Sequence, residues 1–240
     1  ADAEAYLDAI YLSPHKFLGG PGTSGVLVFN KQLYKNAVPD CPGGGTVVYT
    51  NPWGVNAYID DIEEREDGGT PGFLQAIRTA LCFQLKEQMG VEHILAREHE
   101  VLEQLFERLE RLPNLHVLAG QHKNRLGVVS FFIDDLHFNL AVKLLNDRFG
   151  IQTRGGCSCA GTYGHYLLNL DEATGRSLLQ QIRQGHLEVR PGWVRLSIHP
   201  TTTDAELAYV CDAIEALCAN HRSWAADYRY DAKTNTFKHL

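Results

Sequence analysis

The chain has 240 residues, 29 acidic against 22 basic side chains for a formal net charge of −7, and 44% hydrophobic residues. That length and apolar fraction suit a globular chain with a core, as one large or two small domains, and exclude a disordered one. The acidic balance argues against nucleic acid as a partner, and the longest apolar run, about residues 128–133, falls far short of the ~18–20 residues of a membrane span.

Residues 1–7 lack the basic start and apolar core of a secretory signal, which predicts a cytoplasmic protein. Ala1 is not an initiator and the single methionine is Met89, so the chain reads as a fragment whose N-terminal portion is absent. Residues 8–12 and 26–29 then read as short buried strands around the turn Gly19-Gly20-Pro21-Gly22-Thr23-Ser24-Gly25. A second glycine cluster, Pro42-Gly43-Gly44-Gly45, opens an irregular stretch containing Trp53 and Tyr58. Thr70-Pro71 reads as an N-cap followed by proline at the first helical position, with Leu74, Ile77, Leu81 and Leu85 on one face until Gly90. A second helix over residues 92–112 places Leu95, Leu102, Leu105, Phe106, Leu109 and Leu112 together and stops at Pro113.

Beyond it, strands are predicted at 115–118, 127–133, 151–154 and 193–198, and helices at 139–149, 172–184 and 204–219. Helices over one face of a small sheet make an α+β layer domain. The expected organisation is α/β: residues 1–90 the last part of a first domain, 91–222 a small α+β domain, and 223–240 an aromatic tail packed on the body or on a partner subunit.

Six cysteines without a secretory signal do not make a disulfide scaffold. Cys211 and Cys218 share the periodic apolar face of the last helix, and Cys82 sits in a similar stretch, so all three read as core. That leaves Cys157 and Cys159. With His165 they could bind a metal, although the C-x-C spacing is unusual for zinc; they could form a strained redox pair; or one could act as a nucleophile. Lys16 follows the first strand and precedes a flexible loop. Partial desolvation there would favour a neutral amine able to condense with an aldehyde, with Ser13 and His15 as donors for a phosphate. An exposed turn lysine is the alternative. The segment is not a nucleotide P-loop, because the lysine precedes its glycines.

Ser13-Pro14-His15-Lys16 followed by Gly20-Pro21-Gly22-Thr23-Ser24-Gly25-Val26-Leu27 resembles the Schiff-base lysine segment of the class V aminotransferase and cysteine desulfurase family of fold type I pyridoxal-phosphate enzymes. The resemblance continues through Gly43-Gly44-Gly45-Thr46, Asp67-Gly68-Gly69-Thr70-Pro71, Arg154-Gly155-Gly156-Cys157-Ser158-Cys159-Ala160 and Val194-Arg195-Leu196-Ser197. It implies an incomplete pyridoxal-phosphate transferase large domain followed by a small α+β C-terminal domain.

The resemblance also implies roles. Lys16 matches the lysine that binds pyridoxal 5'-phosphate and shuttles protons at the substrate α-carbon, and Ser13 and His15 match ligands of its phosphate. Thr70 matches a threonine that reaches the phosphate of the other subunit, which implies a homodimer; Asp67 stands where glutamate is more usual. Arg195 matches the arginine that grips the α-carboxylate of a small amino acid substrate. Cys159 matches the mobile-loop nucleophile of cysteine desulfurases, with Gly155, Gly156, Gly161 and Gly164 supplying flexibility. No metal is implied. The expected activity is that of a cysteine desulfurase or selenocysteine lyase-like enzyme, which leaves a persulfide on Cys159 for a sulfur-acceptor protein. The alternatives are an aminotransferase-like or epimerase-like enzyme that does not use the cysteine, and an inactive scaffold. The family also needs an aspartate at the cofactor's ring nitrogen. Of the residues before Lys16 only Asp2 and Asp8 are aspartates and neither has the family spacing, so this chain alone is expected to bind cofactor weakly and turn over little.

Overall fold

The computed structural model describes residues 4–240, which leaves Asp2 outside the described residues. The chain divides into two compact units, Ala1–Val91 and Glu92–Leu240. The second therefore includes residues 223–240, which the sequence reading set apart as a tail.

In the first unit, β1 (Ala9–Leu12) pairs antiparallel with β2 (Val26–Phe29), from Ala9 opposite Phe29 to Leu12 opposite Val26. Both strands lie where periodicity placed them, but they are not buried. Tyr11 is 80% exposed and Leu27 and Val28 more than half exposed, because none of the described residues of this unit covers their side chains. The stretch taken as irregular contains a second hairpin, β3 (Val47–Thr50) with β4 (Asn56–Tyr58), joined through a turn in which Asn51 Oδ1 accepts from the backbone N–H of Trp53 and Val55. A short helix α1 (Ile62–Glu66) is capped by the Asp61 carboxylate, which accepts from the N–H groups of Glu63 and Glu64.

The long helix α2 (Phe73–Met89) begins at an N-cap of Gly72, two residues after the expected Thr70 cap. Pro71 stays outside the helix, its carbonyl accepting from the N–H of Phe73, and Gly90 at φ 79° ends the helix. The apolar stripe of α2 faces outward: Leu74 is 79% exposed and Ile77 and Leu81 are 57% exposed, while Thr79 and Cys82 are buried. Burying such a stripe would be worth about 1.5–3 kcal/mol per side chain.

The second unit is built on a four-stranded antiparallel sheet in the order β5-β6-β8-β7, from β5 (Leu115–Val117), β6 (Val128–Ile133), β7 (Arg154–Gly156) and β8 (Trp193–Ser197). Val129, Phe131 and Ile133 of β6 and Val194 and Leu196 of β8 alternate onto one face. They share one core with Leu105, Phe106 and Leu109 of α3 (Val91–Leu109), Leu144 and Leu145 of α4 (Phe138–Phe149), and Ile214 and Leu217 of α7 (Asp204–Trp224). Arg108 of α3 ties this layer together at its edge by pairing with Asp212 and Glu215 of α7. A capping box of Thr203 and Glu206 starts α7, a device worth roughly 1 kcal/mol. Two more helices complete the unit, α5 (Gly161–Leu167) and α6 (Glu172–Arg183).

Two expectations are corrected here. Residues 151–153 are irregular and the strand lies at Arg154–Gly156, because Gly155 sits where an added Cβ would come within 3.0–3.2 Å of Phe138, Asn139 and Val142 of α4. Only glycine lets β7 approach that helix. Gly161 and Gly164, taken as part of a flexible loop, instead belong to α5.

The last residues form a hairpin of β9 (Tyr228–Asp231) and β10 (Thr236–His239). It packs on α4, with Tyr228 Oη donating to Asp147 Oδ2 at 3.1 Å and Asn139 Nδ2 donating to the carbonyl of Asn235 at 2.5 Å. His137, stacked on Phe138 and flanked by Tyr230 and Phe237, caps α4 by accepting the Asn139 N–H at Nδ1. Burial holds its pKa below the usual histidine value, so the unfolded chain takes up the proton more readily than the native one. The neutral ring's contribution to stability is therefore complete above about pH 6.5 and is lost as pH falls towards and through the lower native value. We expect the melting temperature of this unit to drop between pH 7.5 and pH 5, and His137→Phe to remove part of that drop.

Candidate functional site

In the first unit the chain leaves β1 into a single 3-10 turn, Pro14–Lys16, begun by Ser13. The turn is built tightly: the Lys16 N–H donates to the Ser13 carbonyl at 3.0 Å and the Phe17 N–H to the Pro14 carbonyl at 2.9 Å. A Cβ at Gly20 would lie 2.1 Å from the Pro14 carbonyl oxygen, so only glycine closes the loop. α2 anchors it through an edge-on contact of Phe17 with Phe83 and a 2.5 Å bond from Arg78 Nη1 to the Pro21 carbonyl.

This rigid seat presents Ser13, His15 and Lys16 outward. All three are exposed, and among the described residues their side chains engage in no hydrogen bond or ion pair. Lys16 is therefore not desolvated by its own unit and takes the exposed-turn alternative of the two readings, because the strands on either side of it are open. Thr70 is also exposed, in the turn before α2. Two of the three glycine motifs of this unit meet, residues 43–46 and 67–71: the Gly69 N–H donates to the Gly44 carbonyl at 2.8 Å, and a Cβ at Gly68 would lie 2.7 Å from the Cys41 carbonyl oxygen. Thr46, fully buried, closes the motif at residues 43–46 by exchanging hydrogen bonds with the backbone of Gly43.

In the second unit, strand alternation puts Arg195 on the sheet face opposite the helical core, directly across from Ser130 of β6 and Arg154 of β7. Arg195 is half-buried, and among the described residues its Nε is buried without a hydrogen-bond partner. On the same face Trp193 is 3% exposed, its indole packed over Gly164 of α5, where a Cβ would lie 3.0 Å away. Cys157 and Cys159 are exposed free thiols in the turn joining β7 to α5. Ser158 and Cys159 both take left-handed backbone angles, φ 51° and 64°, uncommon for non-glycine residues and concentrated at functional sites. Arg154 Nη2 donates to Cys159 Sγ at 3.0 Å. His165 Nδ1 bonds instead to the Gly161 carbonyl in its own helix, and among the described residues no group of three metal-ligating side chains converges.

The remaining cysteines behave differently. Cys82, Cys211 and Cys218 are buried, and burial pushes the Cys218 thiol up to about 12 and raises Cys211 as well. Both of those thiols stay protonated and inert at neutral pH. The sequence singled out Cys159 and Arg195 but not Arg154, whose position in the run Arg154-Gly155-Gly156 gave no sign that it would lie directly across from Arg195 of β8.

Among the described residues no helix is long and apolar enough to cross a membrane. The sequence model of the aminotransferase class-V family matches residues 3–210. A probable cysteine desulfurase of Staphylococcus epidermidis is 29% identical over 153 residues, an alignment covering 64% of this chain and 36% of that protein. The apo structure of a cysteine desulfurase from Thermococcus onnurineus superposes with a TM-score of 0.67 at 25% identity, over 89% of this chain and 47% of that one. A C-DES variant with glycine covalently linked to its PLP cofactor superposes with a TM-score of 0.54 at 19% identity, over 78% of this chain and 40% of that one. The chain thus spans just over a third of the curated relative and about half of the first of these structures.

Proposed function

The chain belongs to the aminotransferase class-V family, and on that premise we propose that it carries part of the active site of a pyridoxal-phosphate-dependent cysteine desulfurase, or selenocysteine lyase-like enzyme. The observation that carries this reading within the family is Cys159: an exposed thiol on a left-handed turn, held by a guanidinium, beside the sheet face that bears Arg195.

The residues of the Pro14–Lys16 turn suit the cofactor. Ser13 and His15 offer uncommitted donors to a phosphate, and Lys16 offers an uncommitted amine to an aldehyde, all from a backbone fixed by Gly20 and Phe17. When bound, pyridoxal phosphate supplies the electron sink for chemistry at the substrate α-carbon. The other steps fall to the chain. Arg195 grips the carboxylate of the amino acid through two parallel hydrogen bonds and orients it. Lys16 moves protons at the substrate carbon. The Cys159 thiolate takes the sulfur: a sulfur–sulfur bond forms on Cys159 as the substrate carbon–sulfur bond breaks, the electron pair passes to carbon, and a proton completes alanine. Cysteine and the Cys159 thiol thus become alanine and a Cys159 persulfide, with no external oxidant, ready for a sulfur-acceptor protein.

The exposed stripe of Leu74, Ile77 and Leu81 and the open faces of β1 and β2 support two further parts of the proposal. Sequence outside this chain covers β1 and β2 and brings the group that faces the cofactor's ring nitrogen, and a second subunit brings its Thr70 to the phosphate. This chain alone accordingly turns over slowly or not at all.

The test uses the complete protein with pyridoxal phosphate. Borohydride reduction should fix a pyridoxyl mass on the peptide that contains Lys16, and L-cysteine should yield alanine and, with a reductant present, sulfide in equal amounts. Labelling that ignores Lys16, or alanine formation without sulfide, would overturn the reading.

A further inference from the structure

The pairing of β7 with β8 sets Arg154 directly across from Arg195 on one sheet face. Residues so placed have Cβ atoms about 4.5–5.5 Å apart, and like charges there repel. Nothing among the described residues offsets that repulsion: neither guanidinium is in an ion pair, whereas Arg97, Arg108, Arg148 and Arg222 of the same unit each hold a carboxylate. The bond recorded for the Arg154 side chain goes to Cys159 Sγ at 3.0 Å, and Arg195 Nε is buried without a partner. Trp193, 3% exposed on this face, likewise has its Nε1 buried and unpartnered. An exposed and a half-buried cation side by side, both with spare donors, are arranged for an anion.

We propose that Arg154 and Arg195 form a two-guanidinium cradle for a carboxylate, in which Arg154 is also the positioning residue of the Cys159 sulfur. A guanidinium carries five N–H donors in a fixed plane. Arg154 spends one on the sulfur through Nη2, which leaves Nη1 and Nε to meet the anion held by Arg195. One rigid group then touches both the nucleophile and the carboxylate and fixes the separation between them. Lysine would keep the charge and lose the fork. The inference rests on the proposed function for the identity of its anion as an amino acid carboxylate.

The test needs neither cofactor nor turnover, so it succeeds or fails independently of desulfurase activity. This chain, in a Cys157→Ser background, is alkylated at low ionic strength with iodoacetate, an anion, and with iodoacetamide, its neutral near-isostere. Cys41, exposed in the first unit, serves as the internal reference. The ratio of the two rates at Cys159 should exceed that at Cys41 by about tenfold, the low end of electrostatic focusing by a charged site. Arg154→Ala should bring the ratio to the Cys41 value and Arg195→Ala should lower it. Arg154→Lys should retain the preference for iodoacetate, while acetate should protect Cys159 in the parent chain and protect it several-fold less in this variant. Equal ratios at Cys159 and Cys41 in the parent chain, or an Arg154→Ala chain of unchanged circular dichroism that keeps the preference, would overturn the proposal.

Discussion

Replacing Cys159 by alanine in the complete protein abolishes sulfide release from L-cysteine, by about 10³-fold or more, while leaving pyridoxyl trapping at Lys16 intact. A loss of that size corresponds to about 4 kcal/mol of transition-state stabilisation, the scale expected when the atom that forms the new bond is removed. Serine does not rescue it. A hydroxyl is far less nucleophilic than a thiolate and leaves no persulfide to pass on. The fold is not at risk, because Cys159 is exposed and lies outside the core. Alanine should even relieve no packing, so substrate binding through Arg195 persists and only the sulfur-transfer step disappears. Quantifying sulfide and alanine after a single turnover, with the trapped Lys16 peptide as the control, checks this. Sulfide release that survives in Cys159→Ala would assign the chain to a family member that does not use the cysteine, or would move the nucleophile to Cys157.

The parts of this architecture that could be read in advance are those with a strong local period. The stripe Leu102, Leu105, Phe106 and Leu109 gave α3 its length to within a few residues at its C-terminal end, and the alternation of Val129, Phe131 and Ile133 gave β6 its inward face. β7 defeated the same logic. Its strand-forming residues are two glycines with no side chain to alternate, while the apolar residue before them, Ile151, packs on the core from irregular backbone. α5 was masked because its glycines count as helix breakers until Trp193 is seen lying over Gly164. Burial in the first unit was misread for a different reason: an apolar stripe such as Leu74, Ile77 and Leu81 predicts burial without saying against what, and no described residue of this chain covers it. The site followed the same division. Lys16, Cys159 and Arg195 stand in recognisable motifs, but the link between Cys159 and Arg195 runs through Arg154 and depends on strand register, which no motif carries.

Phe131→Ala destabilises the second unit by about 3–5 kcal/mol, the cost of truncating a fully buried aromatic ring and leaving a cavity. Phe131 sits at the middle of β6, the strand between β5 and β8, and shares the core with α3, α4 and α7. The helices cannot collapse onto the vacated space without shifting against one another, which places the cost at the upper part of that range. Its neighbour Phe132 provides the contrast: it points to the other face, half-buried and stacked on His116, so Phe132→Ala costs roughly 1 kcal/mol. Thermal unfolding followed by circular dichroism should therefore show a fall of about 10 °C for the first variant and a few degrees for the second. Equal effects would mean that β6 is turned over by one residue. That outcome would also reach the site, because β6 holds Ser130 opposite Arg195 and so fixes the register of β8. Slipping it by one position would turn Arg195 into the core and away from Arg154, and the iodoacetate preference at Cys159 would be lost along with the stability.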